Sequence, residues 1–514
     1  MMELRHEELL RRLEVEGCAP QLAGPPPPGP IESISWDDRE GPRSAGELFV
    51  AVAGARHDSH PKIPELRQRG FAAFIGQRPM PLGLRAPYYR VRDSRRALAI
   101  LCQMFAGDPA SRLSLFGVTG TNGKSTSVRI LASILSASAG DGELSAGWMS
   151  TVNSSFEGTE VESRMTTPDP EDIARALARF EARGGRRFVL EVSSHALDQG
   201  RVAGLGFTAG LFTNLTRDHY DYHGGEGRYL DAKLRLFEQL TADGTGVIPA
   251  SLQVEAHPRI RAAFDGTERR LLRFADHRFE CPRDCDAWVS TEVVDTSGIR
   301  ATLQLPTGPL DIESSLVGRH NLENILGAAT VAADVGIPPE AIQRGIAACP
   351  AVRGRLQRVD GGVGPIFVDY AHTPDALRSV LGALREATPG RLIVVFGCGG
   401  DRDSGKRPVM GRIACKLADR VIVTSDNPRT ETPAAIVAEI VSGARSWSGH
   451  HRVDLQSEVD RARAIARAVL EQEAGDTLLV AGKGHETYQE IGSERIPFDD
   501  VAVIRQVLAE RRAG

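Results

Sequence analysis

The run Gly117-Val118-Thr119-Gly120-Thr121-Asn122-Gly123-Lys124-Ser125-Thr126 has the residue types needed to hold a polyphosphate. Glycines let backbone N–H groups turn inward around phosphate oxygens, and Lys124 is placed to reach the β- and γ-phosphates. A hydroxyl from Ser125 or Thr126 would serve Mg²⁺. The apolar run 113–116 precedes the loop, and Val128, Ile130, Leu131, Ile134 and Leu135 follow at helical spacing. Strand, turn and helix is the required context, and the helix N-terminus adds partial positive charge. The general pattern sets four residues between its first glycine and the Gly-Lys pair. Here that place holds Val118, with Gly117 one position earlier. The loop implies a bound nucleoside triphosphate.

Two further residues stand where a metal-bound nucleotide would need them. Glu191 lies in the buried-strand run 188–192, and His219 follows the strand run 209–214. Polar residues just past strand ends line the crevice where open α/β sheets bind ligands. Both could serve Mg²⁺, although magnesium prefers oxygen donors and a histidine is an unusual choice. Carboxylates are scarce in this set, and a ligand hidden in a modified residue is one solution. Nearer the C-terminus, cations (Arg402, Lys406, Arg407, Arg429, Lys483) mix with carboxylates (Asp401, Asp403, Glu486). That mixture suits a zwitterionic amino acid: arginine would take its carboxylate, and Asp or Glu its ammonium.

The elements that must position these residues read as α/β throughout. At 514 residues the chain predicts about three domains. Residues 1–107 read as a small α/β domain. It begins with a helical pattern (Leu9, Leu10, Leu13), passes through the stiff stretch Gly24-Pro25-Pro26-Pro27-Pro28-Gly29-Pro30, and shows no acid–base constellation of its own. Residues 108–350 alternate strand and helix around a mostly parallel sheet, with a helix at 229–240 that carries Lys233. Taken alone, that lysine reads as solvent-exposed. Residues 270–316 read as β-rich, and Gly318-Arg319-His320-Asn321 opens an alanine-rich helix. Residues 351–514 contain four buried-strand runs, 366–370, 392–397, 420–424 and 477–482, each ending in a polar or glycine-rich loop. They predict a second open sheet of Rossmann-like type.

Composition narrows the class further. A net charge of -5 and 41% hydrophobic content argue against a general nucleic-acid or membrane surface. No window approaches about 18 uninterrupted apolar residues, so a cytoplasmic location is expected. Seven scattered cysteines form no disulfide framework, and only His277, Cys281 and Cys285 come near a metal-ligand spacing.

Taken together, the motifs resemble those of the Mur ligase family, over nearly the whole chain. The loop at 117–126 has that family's spacing. Glu-Val-Ser-Ser-His-Ala-Leu at 191–197 and Thr-Asn-Leu-Thr-Arg-Asp-His at 213–219 resemble its metal-binding segments. His-Asn-Leu-Glu-Asn at 320–324 resembles its adenine-contact motif. Gly-Arg-Leu-Gln at 354–357 and Asp-Tyr-Ala-His-Thr-Pro at 369–374 resemble the start of its C-terminal domain.

The resemblance implies an ATP-dependent ligase of peptidoglycan precursor synthesis that phosphorylates UDP-N-acetylmuramoyl-L-Ala-D-Glu and couples it to an amino acid. It implies that Gly117, Thr119, Gly120, Thr121, Asn122, Gly123, Lys124, Ser125 and Thr126 hold ATP. Ser125 or Thr126, Glu191, His219 and an N-carboxylated (carbamylated) Lys233 would hold Mg²⁺, with CO₂ as the source of the carbamate. Asn321 and Asn324 would face adenine, Arg355 and Asp369 the ribose, and His372 the phosphate. The muramoyl-peptide would lie on Asn153, Thr166, Thr167, Ser193, Gln199 and Arg201. The family tends to show Asp-Ser-Arg where this chain has Asp37-Asp38-Arg39, which bears on a uridine contact through Asp38. Arg402, Asp426, Asn427, Arg429, Gly482 and Glu486 would hold the amino acid. Arg429 implies meso-diaminopimelate, because its guanidinium can pair with that substrate's second carboxylate. Rival readings are the same chemistry with L-lysine or with glutamate on a folate, and a nucleotide-dependent switch without a small-molecule acceptor. A monomer is expected.

Overall fold

The computed structural model describes residues 3–54, 57–140, 143–156, 160–163, 165–252, 254, 257–275, 285–449 and 452–513. His277 and Cys281 lie outside these, so the His277, Cys281 and Cys285 set cannot be placed as a group. The chain folds into two compact units. The first comprises Met1–Trp288, Leu305–Thr307 and Gly327–Gly345; the second comprises Val289–Gln304, Gly308–Leu326 and Ile346–Gly514.

The first unit holds two sheets. In the N-terminal one, Ser33–Ser35, Glu47–Val50, Ala73–Gly76 and Tyr88–Arg90 pair in parallel, and Gln21–Ala23 closes the far edge antiparallel to Tyr88–Arg90. The helices His6–Val15 and Ser94–Phe105 cover one face of it, burying Leu9, Leu13, Ala97, Leu98 and Leu101 with Leu48, Val50 and Ile75. Asp93 caps the second of these helices by accepting from the backbone N–H groups of Arg95 and Arg96.

The larger sheet has Ser114–Thr119 at its centre, in parallel register with Arg187–Glu191 on one side and Phe207–Phe212 on the other. Leu240–Pro249 and Arg270–Ala275 extend it in parallel. Strands buried on both faces read as continuous apolar runs, which is why this sheet is legible in the sequence. One boundary differs from expectation. The helix predicted over 229–240 spans Glu226–Glu238, and Leu240 instead opens the strand that pairs with Phe207. Leu240 continues the apolar face of the helix, so periodicity alone does not mark the end.

The second unit is built on a sheet in which Ile366–Asp369, Thr477–Ala481, Leu392–Phe396, Arg420–Val423 and Asp454–Ser457 run parallel in that order. Gln357–Arg358 pairs antiparallel at one edge. The four expected strands are present, and Asp454–Ser457 joins them. Pro374–Ala387, Lys406–Leu417 and Pro433–Arg445 bury one face, while Arg461–Leu470 and Asp500–Ala513 bury the other. The strand-end loops 369–372, 397–403, 425–429 and 482–486 follow the carboxyl ends of neighbouring parallel strands, where such sheets bind ligands.

Candidate active site

In the first unit, Ser114–Thr119 leads through the glycine turn into the helix Lys124–Ala137. Gly120 has φ +141°, and a Cβ there would meet Thr213 Oγ1 at 2.0 Å, so only glycine fits. The next strand end holds the loop in shape. Asn122 N donates to Asn214 Oδ1 at 2.9 Å, Thr213 Oγ1 donates to Asn122 O at 2.6 Å, and Thr121 N donates to Asn214 O at 2.8 Å. Lys124 Nζ curls back to the carbonyl of Thr121 at 2.8 Å.

Glu191 is buried at the centre of this unit, 1% exposed. Ser125 Oγ donates to its Oε2 at 2.7 Å, and Thr151 donates to both carboxylate oxygens at 2.8 Å, from N and from Oγ1. The carbonyl of Glu191 accepts from Thr167 Oγ1 at 2.8 Å, which in turn accepts from Ser193 N at 3.0 Å. Thr166 Oγ1 accepts from Thr151 Oγ1 at 3.1 Å. Arg201 donates to Thr167 O at 2.8 Å and to Gln199 Oε1. The structure thus brings Thr166, Thr167, Ser193, Gln199 and Arg201 into one connected hydrogen-bond network that ends at the phosphate loop. Asn153 stands apart from it, at the start of the strand Asn153–Ser155, where its amide donates to Glu160.

Lys233 corrects the reading of an exposed helix lysine. It is 1% exposed, and its Nζ donates to Gly120 O at 2.5 Å and lies 4.4 Å from the centre of the Tyr229 ring. Among the described residues no salt bridge reaches it. Burial, and then the charge of Lys124, push its pKa well below the ordinary lysine value, so the amine is readily neutral. Tyr229 OH donates to Thr121 Oγ1 at 3.1 Å, giving the helix a second hold on the loop. His219 has φ +52° and sits against the His195 ring, with centroids 4.8 Å apart. Burial, with His219 and His223 nearby, pushes His195 down to about 4. The His195 ring meets both His219 and His223, a cluster that sequence reasoning missed although His195 lies inside the 191–197 motif.

Among the described residues no three His, Cys, Asp or Glu side chains are grouped to hold a metal. The donors present nevertheless fit Mg²⁺ in kind. Ser125 Oγ and the Glu191 carboxylate are hard oxygens already within 2.7 Å of each other, and Lys233 would add two more if N-carboxylated.

Asp38 overturns the expectation that the N-terminal region lacks an acid–base cluster. Its buried carboxylate is paired with His57 and, at 3.1 Å, with Lys62. Burial opposes ionisation, but hydrogen bonds from His57 and Lys62 hold the carboxyl below its usual range. The signal was a pair of basic residues 19 and 24 positions downstream, too distant to read as a group.

In the second unit, Arg402, Asp426, Asn427, Arg429, Gly482 and Glu486 all line one cavity of about 630 Å³, with His372 and Lys406 also at its wall. Lys483 is fully buried beneath, donating to Asn427 Oδ1 at 3.0 Å and Glu486 Oε2 at 2.9 Å. Arg407 does not join this set as the charge pattern suggested. It is buried and paired with Glu431 and Glu439 at 2.7 and 3.0 Å. Asp369 accepts from Leu356 N at 2.7 Å and Ala371 N at 2.8 Å, and burial raises its pKa. Arg355 packs over Tyr370, whose carbonyl is 2.9 Å from His372 Nδ1. Asn324 donates to Asn321, and Asn321 to Val317 O, both on the helix Arg319–Asp334.

Two family models match the chain: the Mur ligase middle domain over residues 118–332, and the Mur ligase, glutamate ligase domain over residues 354–484. The chain belongs to the Mur ligase family, whose members form amide bonds at the expense of ATP. It is 41% identical, over 94% of its length and 95% of the relative's, to a protein of Gloeobacter violaceus named UDP-N-acetylmuramoyl-L-alanyl-D-glutamate--2,6-diaminopimelate ligase. A protein of Pseudomonas aeruginosa with the same name is 39% identical over 93% of this chain and 95% of its own. A solved structure bearing that name superposes with a TM-score of 0.69 at 32% identity, covering 94% of this chain and 96% of the other. A MurF from Acinetobacter baumannii shares the fold, with a TM-score of 0.59 at 17% identity and 99% coverage of both chains. No helix among the described residues is long and apolar enough to cross a membrane.

Proposed function

We propose that the protein ligates meso-diaminopimelate to UDP-N-acetylmuramoyl-L-Ala-D-Glu, with ATP converted to ADP and phosphate, as a cytoplasmic monomer. The observation that carries this reading is the second unit's cavity, where Arg402 and Arg429 share one wall system with Asp426 and Glu486. Cations and carboxylates together match an amino acid with a second carboxylate and a second ammonium. The names of the relatives support the same choice.

In this reading residues 1–107 bind the UDP moiety, residues 108–350 bind ATP, and residues 351–514 bind the amino acid. Gly117 to Thr126 cradle the phosphates, with Lys124 on the β- and γ-groups. Ser125, Thr126, Glu191, His219 and N-carboxylated Lys233 hold Mg²⁺. The buried lysine, which has no carboxylate partner among the described residues, supports the carbamate: only a neutral amine attacks CO₂, and the product supplies the negative charge that this carboxylate-poor site lacks. When bound, Mg²⁺ spreads the charge that builds up on the phosphate oxygens. Asn321, Asn324, Arg355, Asp369 and His372 complete the nucleotide contacts. Asn153, Thr166, Thr167, Ser193, Gln199 and Arg201 hold the muramoyl-peptide, and Asp38 the uridine side.

A carboxylate oxygen of the dipeptide attacks the γ-phosphorus, and the bond to ADP breaks. The amine of the amino acid then attacks the acyl carbon and loses its proton. Phosphate departs with the electron pair of the C–O bond. Lys124 and the loop N–H groups stabilise the charge on the transferred group, and the arginines of the cavity orient the amine.

Phosphate release assayed with each amino acid in turn tests the reading. Release is expected with meso-diaminopimelate only in the presence of UDP-N-acetylmuramoyl-L-Ala-D-Glu. Turnover with L-lysine and none with meso-diaminopimelate would overturn the choice of amino acid. Hydrolysis indifferent to both acceptors would overturn the ligase itself.

A further inference from the structure

The strands Tyr488–Ile491 and Glu494–Pro497 form an antiparallel hairpin that lies along the loop 426–429. Four hydrogen bonds that each involve a backbone group stitch the two together. Gln489 Nε2 donates to Asp426 O at 2.6 Å and Glu490 N to Asn427 Oδ1 at 3.0 Å. Arg429 N donates to Glu490 O at 3.0 Å, and Gly492 N to Arg429 O at 2.7 Å. Arg429 has φ +52°, a conformation that a long side chain adopts only when its surroundings impose it, and these backbone bonds impose it here.

The guanidinium is held as firmly as the backbone. Arg429 Nε donates to Glu490 Oε2 at 2.8 Å, and Nη1 donates to Gly400 O at 2.8 Å. Nη2 makes no hydrogen bond to another described residue. Glu490 is itself fixed from the other side, because its Oε1 accepts from Arg495 Nε at 3.0 Å and lies 2.9 Å from Arg495 Nη2. Arg495 in turn stacks over the Tyr488 ring at 4.5 Å. Arg429 lines the cavity, whereas Glu490 does not. Any effect of Glu490 on the bound amino acid therefore passes through Arg429.

We infer that Glu490 is a positioning residue that sets substrate specificity: it locks the Arg429 guanidinium so that the donor edge left open is presented to the distal carboxylate of the amino acid. The inference rests on the assignment of this cavity to meso-diaminopimelate. A planar guanidinium recognises a carboxylate by direction as well as charge, so a freely rotating arginine would discriminate less. An acceptor at position 490 is what matters, more than its negative charge.

The test uses the full-length enzyme with Glu490→Ala, Glu490→Gln, Arg429→Ala and the double variant Arg429→Ala/Glu490→Ala. Phosphate release gives kcat and KM for meso-diaminopimelate and for ATP, and thermal melting reports folding. Glu490→Ala is expected to raise the KM for meso-diaminopimelate about tenfold, the scale of a lost charge-assisted hydrogen bond, with the KM for ATP and the melting temperature unchanged. Glu490→Gln is expected to restore most of the loss, since its side-chain oxygen still accepts from Nε. On the Arg429→Ala background, Glu490→Ala is expected to add no further loss. An unchanged KM in Glu490→Ala, a full further loss in the double variant, or a parallel rise in the KM for ATP with a lowered melting temperature would each overturn the inference. Failure of the wild-type enzyme to use meso-diaminopimelate would overturn the substrate assignment, and this inference with it, before any variant is compared.

Discussion

Lys233 Nζ and Gly120 O are 2.5 Å apart, joining a helix that follows the phosphate loop by more than a hundred residues to a carbonyl of the loop itself. The contact puts a buried amine beside the nucleotide machinery. Lys233→Ala is expected to lower kcat by about 10²-fold or more, the cost of removing one group that stabilises transferred charge. Partial rescue by formate or acetate is expected, because a small carboxylate can occupy the space that the proposed carbamate would fill. Full activity in the unrescued variant would show the lysine to be dispensable. Mass spectrometry under bicarbonate, showing one added CO₂ on the wild type and none on the variant, checks the modification directly.

Arg429 lines the cavity of the second unit, which is the proposed amino-acid site. Arg429→Ala is expected to raise the KM for meso-diaminopimelate by about 10- to 100-fold, while leaving the KM for ATP within about twofold. Steady-state kinetics with each substrate varied separates the two. Equal losses for both would contradict the assigned role.

Burial pushes His320 and His485, both in the second unit, down to about 4. The buried Nδ1 of His485 has no hydrogen-bond partner among the described residues. In the unfolded chain these rings take protons near 6.5, so acid favours unfolding. The stabilisation is complete above 6.5 and is lost as pH falls from 6.5 towards 4, with each histidine contributing on the order of 1–3 kcal/mol. Urea midpoints across that range are expected to fall with acidity, and His485→Gln to flatten the dependence. An unchanged slope in the variant would remove His485 from the account.

Arg461 and Asp500 form an ion pair with both side chains fully buried, at 2.7 Å. It ties the helix Arg461–Leu470 to the start of Asp500–Ala513, and Arg461 also donates to Ser425 O and Ala481 O. Asp500→Ala leaves a guanidinium buried without its counter-charge and is expected to cost about 3–5 kcal/mol. Chemical denaturation followed by circular dichroism measures it. A loss below about 1 kcal/mol would mean that the carbonyls alone satisfy Arg461.

Much of this architecture could be read from the chain, for a physical reason. Strands such as Leu392–Phe396 are buried on both faces and therefore carry unbroken apolar runs, and their ends mark where the polar loops must lie. The phosphate loop was legible because its glycines answer a backbone requirement that few other sites have. What stayed hidden was partnership. Lys233 reads as solvated until the fold buries it, since nothing in its neighbours announces an enclosed amine. Arg407 and Lys483 carry the same formal charge as Arg402, but only the fold reveals that Arg407 is spent on Glu431 and Glu439. Glu490 sits in a short hairpin with weak alternation, and its pairing with Arg429 spans 61 positions.

Glu191 carries a further consequence. Its carboxylate accepts from the hydroxyl of Ser125 in the phosphate loop, and its carbonyl accepts from Thr167, part of the network proposed to hold the muramoyl-peptide. In the proposed function one residue is thus a shared support for the nucleotide and for the acceptor. Two ligands that bias the same support are energetically linked. Whatever factor the acceptor applies to the affinity for ATP, ATP returns to the acceptor, so the apparent affinity for either depends on the concentration of the other.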